Sequence, residues 1–285
     1  MTKIVVAGLG DHAVRGHIIH LARLPDAELV GGFDPSGEAF AALSKDHGIV
    51  LPSWKSYDSM LAESGAQAVV IASPDRFHVD QLRGAVQSGL HVLCEKPLCT
   101  SREEIADLTK ILGEANEKGL VITSCHPRRF DPPYVWLKDN LPRLTGLFGK
   151  VMAIHLDFSY HHPSAEKQGL HGGSLLQDHA NHEIDYLNCL FGHAGFTAHK
   201  LSDSFDRYAL AGRRDDEIDF FFTGSRRLKK SVYPESIQVK LERASLYIDT
   251  YNPANNRVIS HDHGRCMPLA AGKTDYDVRF RALNA

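Results

Sequence analysis

The chain has 285 residues, which is enough for one large domain or for two domains of ordinary size. Hydrophobic residues make up 43% of it and charged residues 24%, a composition typical of folded globular proteins and not of disordered ones. Its 32 basic and 35 acidic side chains leave a net charge of −3, so no electrostatic field favours nucleic acid as a partner. No apolar run approaches the roughly 18 residues that cross a bilayer, and we expect no membrane partner either.

The cysteines indicate the compartment. They are odd in number and include no CxxC pair: Cys94, Cys99, Cys125, Cys189 and Cys266. This pattern favours reduced thiols over a disulfide framework. Since the N-terminus enters a strand-like run without the pattern of a cleavable signal peptide, we expect a cytoplasmic protein.

Short β-branched runs alternate with longer helical patterns in the N-terminal part of the chain. The predicted strands are Lys3–Gly8, Glu28–Phe33, Ala68–Ala72, His91–Cys94 and Leu120–Thr123. The predicted helices are Gly16–Leu24, Gly37–His47, Phe77–Ser88 and one that begins at Ser101. This alternation is typical of βαβ units, so we expect an α/β Rossmann domain with a doubly wound parallel sheet.

The helix after Ser101 has the clearest boundaries. Ser101 can cap its first turn, Glu104 completes a capping box, and Gly119 ends the helix. The apolar stripe that we expect it to bury consists of Ile105, Leu108, Leu112 and Ala115.

The pattern changes after Cys125. A proline-containing segment, His126–Pro142, precedes a long predicted strand, Lys150–Tyr160, and a helix at about Leu175–Leu190. The later predicted strands have no helix between them: Tyr208–Ala211, Ile218–Thr223, Ser236–Leu241 and Ser245–Thr250. Consecutive strands favour an α+β domain with a mostly antiparallel open sheet. We therefore expect two domains, over residues 1–124 and 125–285.

A dinucleotide fingerprint follows the first strand. In Gly8–Ala13 (GLGDHA), Gly8 allows the tight turn, Gly10 lets the backbone approach a pyrophosphate, and Ala13 permits close helix packing. The next helix directs its N-terminal N–H groups toward the phosphates. A GxG turn can also be purely structural, but its place at the start of a βαβ series favours cofactor binding.

The second strand ends in Asp34, where a carboxylate can accept hydrogen bonds from the adenine ribose. It would repel a 2′-phosphate, and no basic residue follows closely in Asp34–Gly37, so the sequence favours NAD over NADP. Asp34 can also cap a helix, and one residue can do both.

Two further patterns carry chemistry. Glu95 and Lys96 end the fourth strand, at the sheet edge where such folds bind ligands, although this dipeptide alone is more often a surface ion pair. Asp178 and His182 are four residues apart and share one face if this segment is helical. A carboxylate there can orient an imidazole for proton transfer, although DxxxH also occurs by chance.

A zinc site at Asp178, His179 and His182 is the alternative. Adjacent side chains diverge by about 100° on a helix, so Asp178 and His179 cannot easily share one ion, and we expect no metal there. The nearby His161, His162 and His171 can line a substrate mouth or cover a solvated loop.

These motifs together resemble the Gfo/Idh/MocA family of oxidoreductases (glucose–fructose oxidoreductase, inositol dehydrogenase and rhizopine catabolism). The matching segments are GLGDHAVRGH, Asp34-Pro35, Ser73-Pro74-Asp75 with His78, Glu95-Lys96-Pro97, Arg129–Pro132 and GGSLLQDHANHEID. They keep the family's order and spacing up to about residue 192, and Pro127 stands where many members have asparagine.

The resemblance implies NAD(P)-linked oxidation of a secondary alcohol, or reduction of a ketone, of a sugar, inositol or related polyol. His182 would be the general acid/base, Lys96 would contact the reacting oxygen, and Asp178 would contact substrate or tune His182. The cofactor-binding residues would be Gly8, Gly10, Asp11, His12, Asp34, Ser73, Asp75, His78, Glu95 and Lys96. The substrate-binding residues would be His126, Arg129 and His179.

Two other functions stay open: a nicotinamide-binding regulator or sensor that has lost turnover, and a metal-dependent hydrolase. The basic pairs Arg213-Arg214, Arg226-Arg227 and Lys229-Lys230 can hold a nucleotide-linked sugar, but we expect them at solvated hairpin ends. The apolar run Ile218–Phe222 predicts a homodimer or homotetramer that associates through the second sheet.

Overall fold

The computed structural model describes residues 1–159, 174–227 and 235–285. By its internal contacts the chain divides into two units. The first unit comprises Met1–Pro127 and Phe280–Ala285, and the second unit comprises Arg128–Arg279. The predictions for Tyr160, His161, His162, His171, Gly172, Gly173, Lys229 and Lys230 lie outside the described residues.

The first unit contains a parallel sheet in the order β2-β1-β3-β4-β5. Its strands are β1 (Thr2–Ala7), β2 (Ala27–Phe33), β3 (Ala68–Ile71), β4 (His91–Cys94) and β5 (Ile122–Ser124). The central strands are apolar on both faces because helices cover both sides of the sheet. The strand order reverses between β1 and β3, since β2 is added on one side of β1 and β3 on the other. Open α/β sheets bind ligands at the carboxyl ends of the strands at such a point.

The first helix, α1, is irregular. It consists of an α segment (Asp11–Ala13), a π-helical segment (Val14–Ile18) and a second α segment (Ile19–Leu21). The other helices of this unit are α2 (Gly37–His47), α3 (Tyr57–Glu63), α4 (His78–Gln87) and α5 (Arg102–Glu117). Single π turns inside α-helices are frequent at functional sites.

Helix α5 has the predicted capping box, in which Ser101 accepts from the Glu104 backbone and Glu104 accepts from the Ser101 backbone. Its buried stripe differs from the predicted one: Leu108, Ile111 and Ala115 are buried. The other two predicted members were wrong, since Ile105 is 52% exposed and Leu112 is 38% exposed. The helix buries a stripe centred on Ile111, which is narrower than the sequence periodicity indicates.

The second unit contains an eight-stranded sheet in the order β13-β12-β11-β10-β6-β9-β8-β7, in which only the β6–β9 pair is parallel among the described strands. The strands are β6 (Val151–Ser159), β7 (Phe196–Asp203), β8 (Arg207–Arg214), β9 (Asp219–Ser225), β10 (Ser236–Leu241), β11 (Ala244–Asp249), β12 (Arg257–Ser260) and β13 (Cys266–Pro268). The helices are α6 (Pro132–Phe148) and α7 (Leu175–Phe191). Helix α8 (Tyr276–Asn284) begins in this unit, and its residues from Phe280 onward belong to the first unit.

The inward faces of β6, β9 and β10 form one hydrophobic core with α6 and α7. Alternation along the strands selects the inward residues: Ile154 and Leu156 are buried, as are Phe220 and Phe222. Both predicted folds are confirmed: the Rossmann domain, and the α+β part with its mostly antiparallel open sheet.

Helix α6 was not predicted because its prolines indicated a loop. Pro132 and Pro133 occupy the first turn, where the missing N–H costs no helical hydrogen bond, and Pro142 lies inside the helix. The edge strand β7 was missed because its residues are almost all exposed and show no alternation. Among the residues that the structure describes, no helix is both long and apolar enough to cross a membrane.

Helix α6 gives a direct test of the core. Leu137 is 0% exposed and Leu147, on the same helix, is 52% exposed. We expect Leu137→Ala to lower the free energy of unfolding by about 2–5 kcal/mol, because the buried side chain leaves a cavity. Leu147→Ala is the control and should change it by less than about 0.5 kcal/mol. Thermal denaturation of the two variants measures the difference, and equal shifts would contradict the assignment of this core.

Candidate active site

The glycine turn after β1 has the geometry that the fingerprint requires. Gly8 has φ +89°, and a Cβ atom there would lie 2.7 Å from the backbone of Ala72 and Ser73, so only glycine fits. A Cβ at Gly10 would meet no atom within 4 Å, and the backbone is open on that side. The exposed Asp11 pairs with Arg15, with 2.8 Å between Oδ1 and Nε. The turn leaves room for a ligand beside Gly10.

Asp34 fixes the same turn from the neighbouring strand. Its Oδ2 atom accepts a hydrogen bond of 2.8 Å from the Leu9 backbone, and its Oδ1 atom accepts one of 2.8 Å from the Ser36 backbone. Asp34 is not the helix cap, because Ser36 holds the N-cap position of α2. The carboxylate therefore joins the tip of β2 to the turn after β1.

His78 joins the loops that follow β3 and β4. Its ring is buried, with Nδ1 2.7 Å from the carbonyl oxygen of Pro97 and Nε2 2.9 Å from that of Ser73. Ser73 is half-buried, and Asp75 is exposed at the start of the following turn. His78 holds these two loops together, and Ser73 and Asp75 lie on one of them.

Glu95 is the centre of the polar contacts in this unit. It is 6% exposed, and its Oε1 atom lies 2.8 Å from Nε2 of His12 and 2.9 Å from Nε2 of His17. Burial would raise the pKa of Glu95, but hydrogen bonds with the two histidines and their charges outweigh it and hold that pKa well below its usual range. The bond to Glu95 also raises the pKa of His12. The interpretation of Glu95 as part of a surface ion pair is wrong, whereas Lys96 is half-buried directly after it.

Helix α7 carries Asp178 and His182, which confirms that this segment is helical. Ser174 caps it, because its side chain accepts from the Gln177 backbone at 3.2 Å. Asp178 forms an ion pair with the buried guanidinium of Arg226. Oδ2 of Asp178 also lies 3.5 Å from Nε2 of His179. The expectation that these adjacent side chains diverge was wrong, because their two polar atoms lie within ion-pair distance.

His182 and His179 both contact Phe158 on β6. The ring of His182 lies 6.2 Å from that of Phe158 in an edge-on arrangement, and the ring of His179 lies 4.5 Å from it. His179 is buried and His182 is half-buried. The ring of Phe158 therefore restricts the orientation of both imidazoles.

Arg129, predicted to contact substrate, forms an ion pair with Asp185 on α7. Its Nε and Nη2 atoms donate to the two carboxylate oxygens at 2.7 and 2.5 Å. Such a bidentate pair fixes both position and orientation, so it anchors the helix that carries His182. His126 is half-buried in the first unit.

Sequence reasoning missed Arg226 and Arg214, which it placed at solvated hairpin ends. Both are buried, and Arg214 donates to Asp216 at 2.9 Å and to the Gly192 carbonyl at 3.0 Å. The signal was available: buried residues alternate along β9 from Phe220, and the same alternation reaches Arg226.

A buried ionic network beneath α7 was also missed. Arg128 donates from Nε to Glu235 at 3.0 Å, and the Tyr134 hydroxyl donates to the same carboxylate at 2.5 Å. Glu183, beside His182, accepts from the Tyr208 hydroxyl. Burial raises the pKa of Glu183 from 4.5 to about 7, although Arg128 and Tyr208 act against it.

The predicted residues therefore form two groups. The cofactor residues and Lys96 lie in the first unit, around the carboxyl ends of its strands. The second unit contains the other group. Helix α7 carries Asp178, His179 and His182, and Arg129 contacts this helix through Asp185.

Glu183 makes stability depend on pH. Its pKa is higher in the folded than in the unfolded chain, so its contribution to stability is complete below pH 4.5 and falls as pH rises toward 7. Glu183→Gln cannot ionise and keeps an acceptor for Tyr208. We expect its thermal midpoint, relative to the wild type, to be higher at pH 8 than at pH 5, by an amount equivalent to roughly 3 kcal/mol or less.

Glu217→Gln is the matched control, because Glu217 is exposed in the same unit. Its midpoint relative to the wild type should not change between the two pH values. A Glu183→Gln profile parallel to that of the wild type would contradict the raised pKa.

Comparison with known proteins agrees with this geometry. Residues 2–124 match the family model GFO_IDH_MocA, described as an oxidoreductase family with an NAD-binding Rossmann fold. An inositol 2-dehydrogenase of Rhodococcus jostii is 30% identical over 167 residues, which are 59% of this chain and 44% of that protein. The chain spans about half the length of the curated relatives that it matches.

Solved structures share the fold over 99% of this chain. One is a myo-inositol 2-dehydrogenase from Lactobacillus plantarum, with a TM-score of 0.79 and 20% identity over 99% of this chain and 86% of that one. Another is an oxidoreductase from Agrobacterium radiobacter in complex with NAD+, L-tartaric acid and magnesium, with a TM-score of 0.80 and 14% identity over 99% of this chain and 85% of that one. Residues 2–124 therefore match the Gfo/Idh/MocA oxidoreductase family and its NAD-binding Rossmann fold.

Proposed function

We propose that the protein is an NAD-dependent dehydrogenase or reductase that interconverts a secondary alcohol and a ketone on a sugar, inositol or related polyol. In this proposal residues 1–124 bind the dinucleotide and residues 125–285 bind the substrate. The observation that supports it is the family match of the first unit. In addition, α7 in the second unit carries Asp178 and His182 four residues apart.

The residues of the glycine turn fit a dinucleotide. Gly8 is required by the close approach of Ala72, and the open backbone at Gly10 suits a pyrophosphate. Asp34 suits an adenine ribose with free hydroxyls. When bound, NAD supplies the hydride acceptor, and the protein supplies orientation and proton transfer.

The chemistry assigned to the side chains is a proton transfer coupled to hydride loss. A carbinol carbon gives up hydride only as its hydroxyl loses a proton, so a base and a cation must act on one oxygen. We assign the base to His182 and the cation to Lys96. Asp178 and Arg226 form a pair whose carboxylate contacts substrate or tunes His182.

We assign further roles to the residues of the predicted sets. His126, Arg129 and His179 belong to the substrate side, where Arg129 acts through Asp185 and α7. Asp11, His12, Ser73, Asp75, His78 and Glu95 belong to the cofactor side. His12, His78 and Glu95 position the loops there through their contacts.

We also propose a cytoplasmic homodimer or homotetramer that associates through the outer face of the second sheet. Paired residues on β6, β9 and β10 place His155, Phe221 and Gln238 side by side there. Phe221, at the β9 end of this row, is 46% exposed. Large apolar side chains on an open sheet face are typical of association surfaces.

The catalytic assignment predicts a specific loss of turnover. NADH formation with a panel of inositols, pentoses and hexoses should identify a substrate for the wild type. His182→Ala and Lys96→Met should each lower kcat by at least about 100-fold, because each removes one group from the reacting oxygen. His193→Ala, an exposed histidine after α7, is the control and should retain activity.

Binding of NAD, measured by titration calorimetry, separates this proposal from a regulator. The His182→Ala variant should bind NAD as tightly as the wild type. A wild type that binds NAD and turns over no member of the panel favours a sensor, and an active His182→Ala variant contradicts the role of His182.

The cofactor assignment predicts the effect of Asp34→Asn. Removing the negative charge abolishes the repulsion of a 2′-phosphate, while one side-chain oxygen remains to accept a hydrogen bond from a backbone N–H. We expect the ratio of kcat/KM with NAD to kcat/KM with NADP to fall by about tenfold or more. Asp58→Asn, at an exposed position on α3, is the control. A wild type that prefers NADP would contradict the assignment.

A further inference from the structure

We propose that His17, Glu95 and Cys125 form a binding site for a divalent transition-metal ion, with zinc as the preferred ion. The site lies inside the first unit, at the carboxyl edge of its sheet. It goes beyond the proposed function: Glu95 belongs to the cofactor side there, but binding of the ion requires no dinucleotide. The sequence analysis considered a metal only at Asp178–His182.

The three side chains bring together donor atoms of three kinds. A histidine nitrogen, a carboxylate oxygen and a cysteine sulfur all lie within 4.8 Å of one another. His17 is 0% exposed and Cys125 is 1% exposed, so the set is buried together with Glu95. Within residues 1–159, 174–227 and 235–285, no other such group of three is found.

Neighbouring strands place two of the ligands. Glu95 follows β4 and its N–H donates to the Ile71 carbonyl at 2.8 Å, and Cys125 follows β5 and its N–H donates to the Cys94 carbonyl at 2.8 Å. These bonds continue the parallel ladder one step beyond the strands. Because β4 and β5 are adjacent, the two side chains emerge at one edge.

The orientation of His17 is fixed by the last residues of the chain. The amide nitrogen of Asn284 donates to the carbonyls of Gly16 and Phe280, at 2.8 and 2.7 Å. Its Oδ1 atom is therefore the group that lies 2.9 Å from Nδ1 of His17, and Nδ1 carries the hydrogen. A metal-binding histidine almost always donates its other ring N–H in this way, which leaves Nε2 for the ion.

The ion would lie where His17 and Glu95 now contact each other. Nε2 of His17 and Oε1 of Glu95 share a hydrogen bond, with 2.9 Å between the two atoms. An ion between them would take its place and would displace the proton of the Cys125 thiol as well. A dication with one carboxylate and one thiolate is neutral overall, which favours burial of the complex.

His12 is the candidate fourth ligand, and it lies where the ion would enter from solvent. Its Nε2 atom lies 2.8 Å from the same carboxylate oxygen, and its side chain is 59% exposed. His12 and His17 are five residues apart, and the π segment Val14–Ile18 brings both to one side of α1. His12 or a solvent molecule would complete a tetrahedron.

The donor set selects the ion. Zinc takes tetrahedral sites of Cys, His and carboxylate ligands, with bonds of about 2.0–2.3 Å. Donor atoms in such a site are about 3.3–3.8 Å apart. Because the three donor atoms lie within 4.8 Å of one another, the most distant pair must approach by up to about 1 Å. Magnesium and calcium require oxygen ligands and do not suit a thiolate.

Cobalt titration of the chelator-treated full-length protein tests the site. Co²⁺ bound to a thiolate gives a charge-transfer band in the near ultraviolet, and surface histidines do not. We expect this band to saturate at one ion per chain and to disappear on addition of one equivalent of Zn²⁺. Cys125→Ser should abolish it. Cys266→Ser, at an exposed cysteine, should retain it.

X-ray absorption of the zinc-loaded wild type keeps the test independent of variant folding. We expect one sulfur ligand at about 2.3 Å together with nitrogen or oxygen ligands. A shell of nitrogen and oxygen alone would show adventitious binding at other histidines and overturn the proposal. Absence of the cobalt band in the wild type, or its survival in Cys125→Ser, would also overturn it. Neither readout needs NAD or substrate, so failure of the proposed activity leaves it unaffected.

Discussion

A buried negative charge determines how the first unit is arranged. Glu95 is almost completely removed from water, and an isolated carboxylate in such a place would lose its charge or destabilise the fold. His12 and His17 prevent this by placing two ring nitrogens on one of its oxygens. Because both histidines lie on α1, their contacts with Glu95 attach the helix after the glycine turn to the loop after β4. The position of Lys96 follows from this attachment.

The second unit uses the same principle with arginine in place of histidine. Arg128 neutralises Glu235, and Arg226 pairs with Asp178. Breaking a buried pair by removing one partner is costly because it leaves an uncompensated charge. Helix α7 is therefore fixed by its contacts: Asp178 is held by Arg226, and Asp185 is held by Arg129. The orientation of His182 depends on these contacts and on Phe158.

Sequence patterns were sufficient to predict the fold and the glycine turn. They did not predict which side chains distant in sequence contact one another. Periodicity gave α7 and the central strands, because burial of one face repeats along the chain. Helix α6 was missed because proline in a first turn looks the same in sequence as proline in a loop. The partners of Glu95 were missed because His17 lies 78 residues away, and no spacing rule connects the two. The burial of Arg226 could have been predicted, because continued alternation along β9 places this residue on the inward side.

The π segment of α1 has a consequence for how this chain is compared with others. A wide turn holds more residues than an ordinary one, so every position after Val14 is displaced relative to a regular helix. In a regular α-helix the side chains at positions 12 and 17 would lie about 140° apart around the axis, because each residue turns by about 100°. A chain that has both histidines but lacks the wide turn could therefore not direct both rings to one carboxylate.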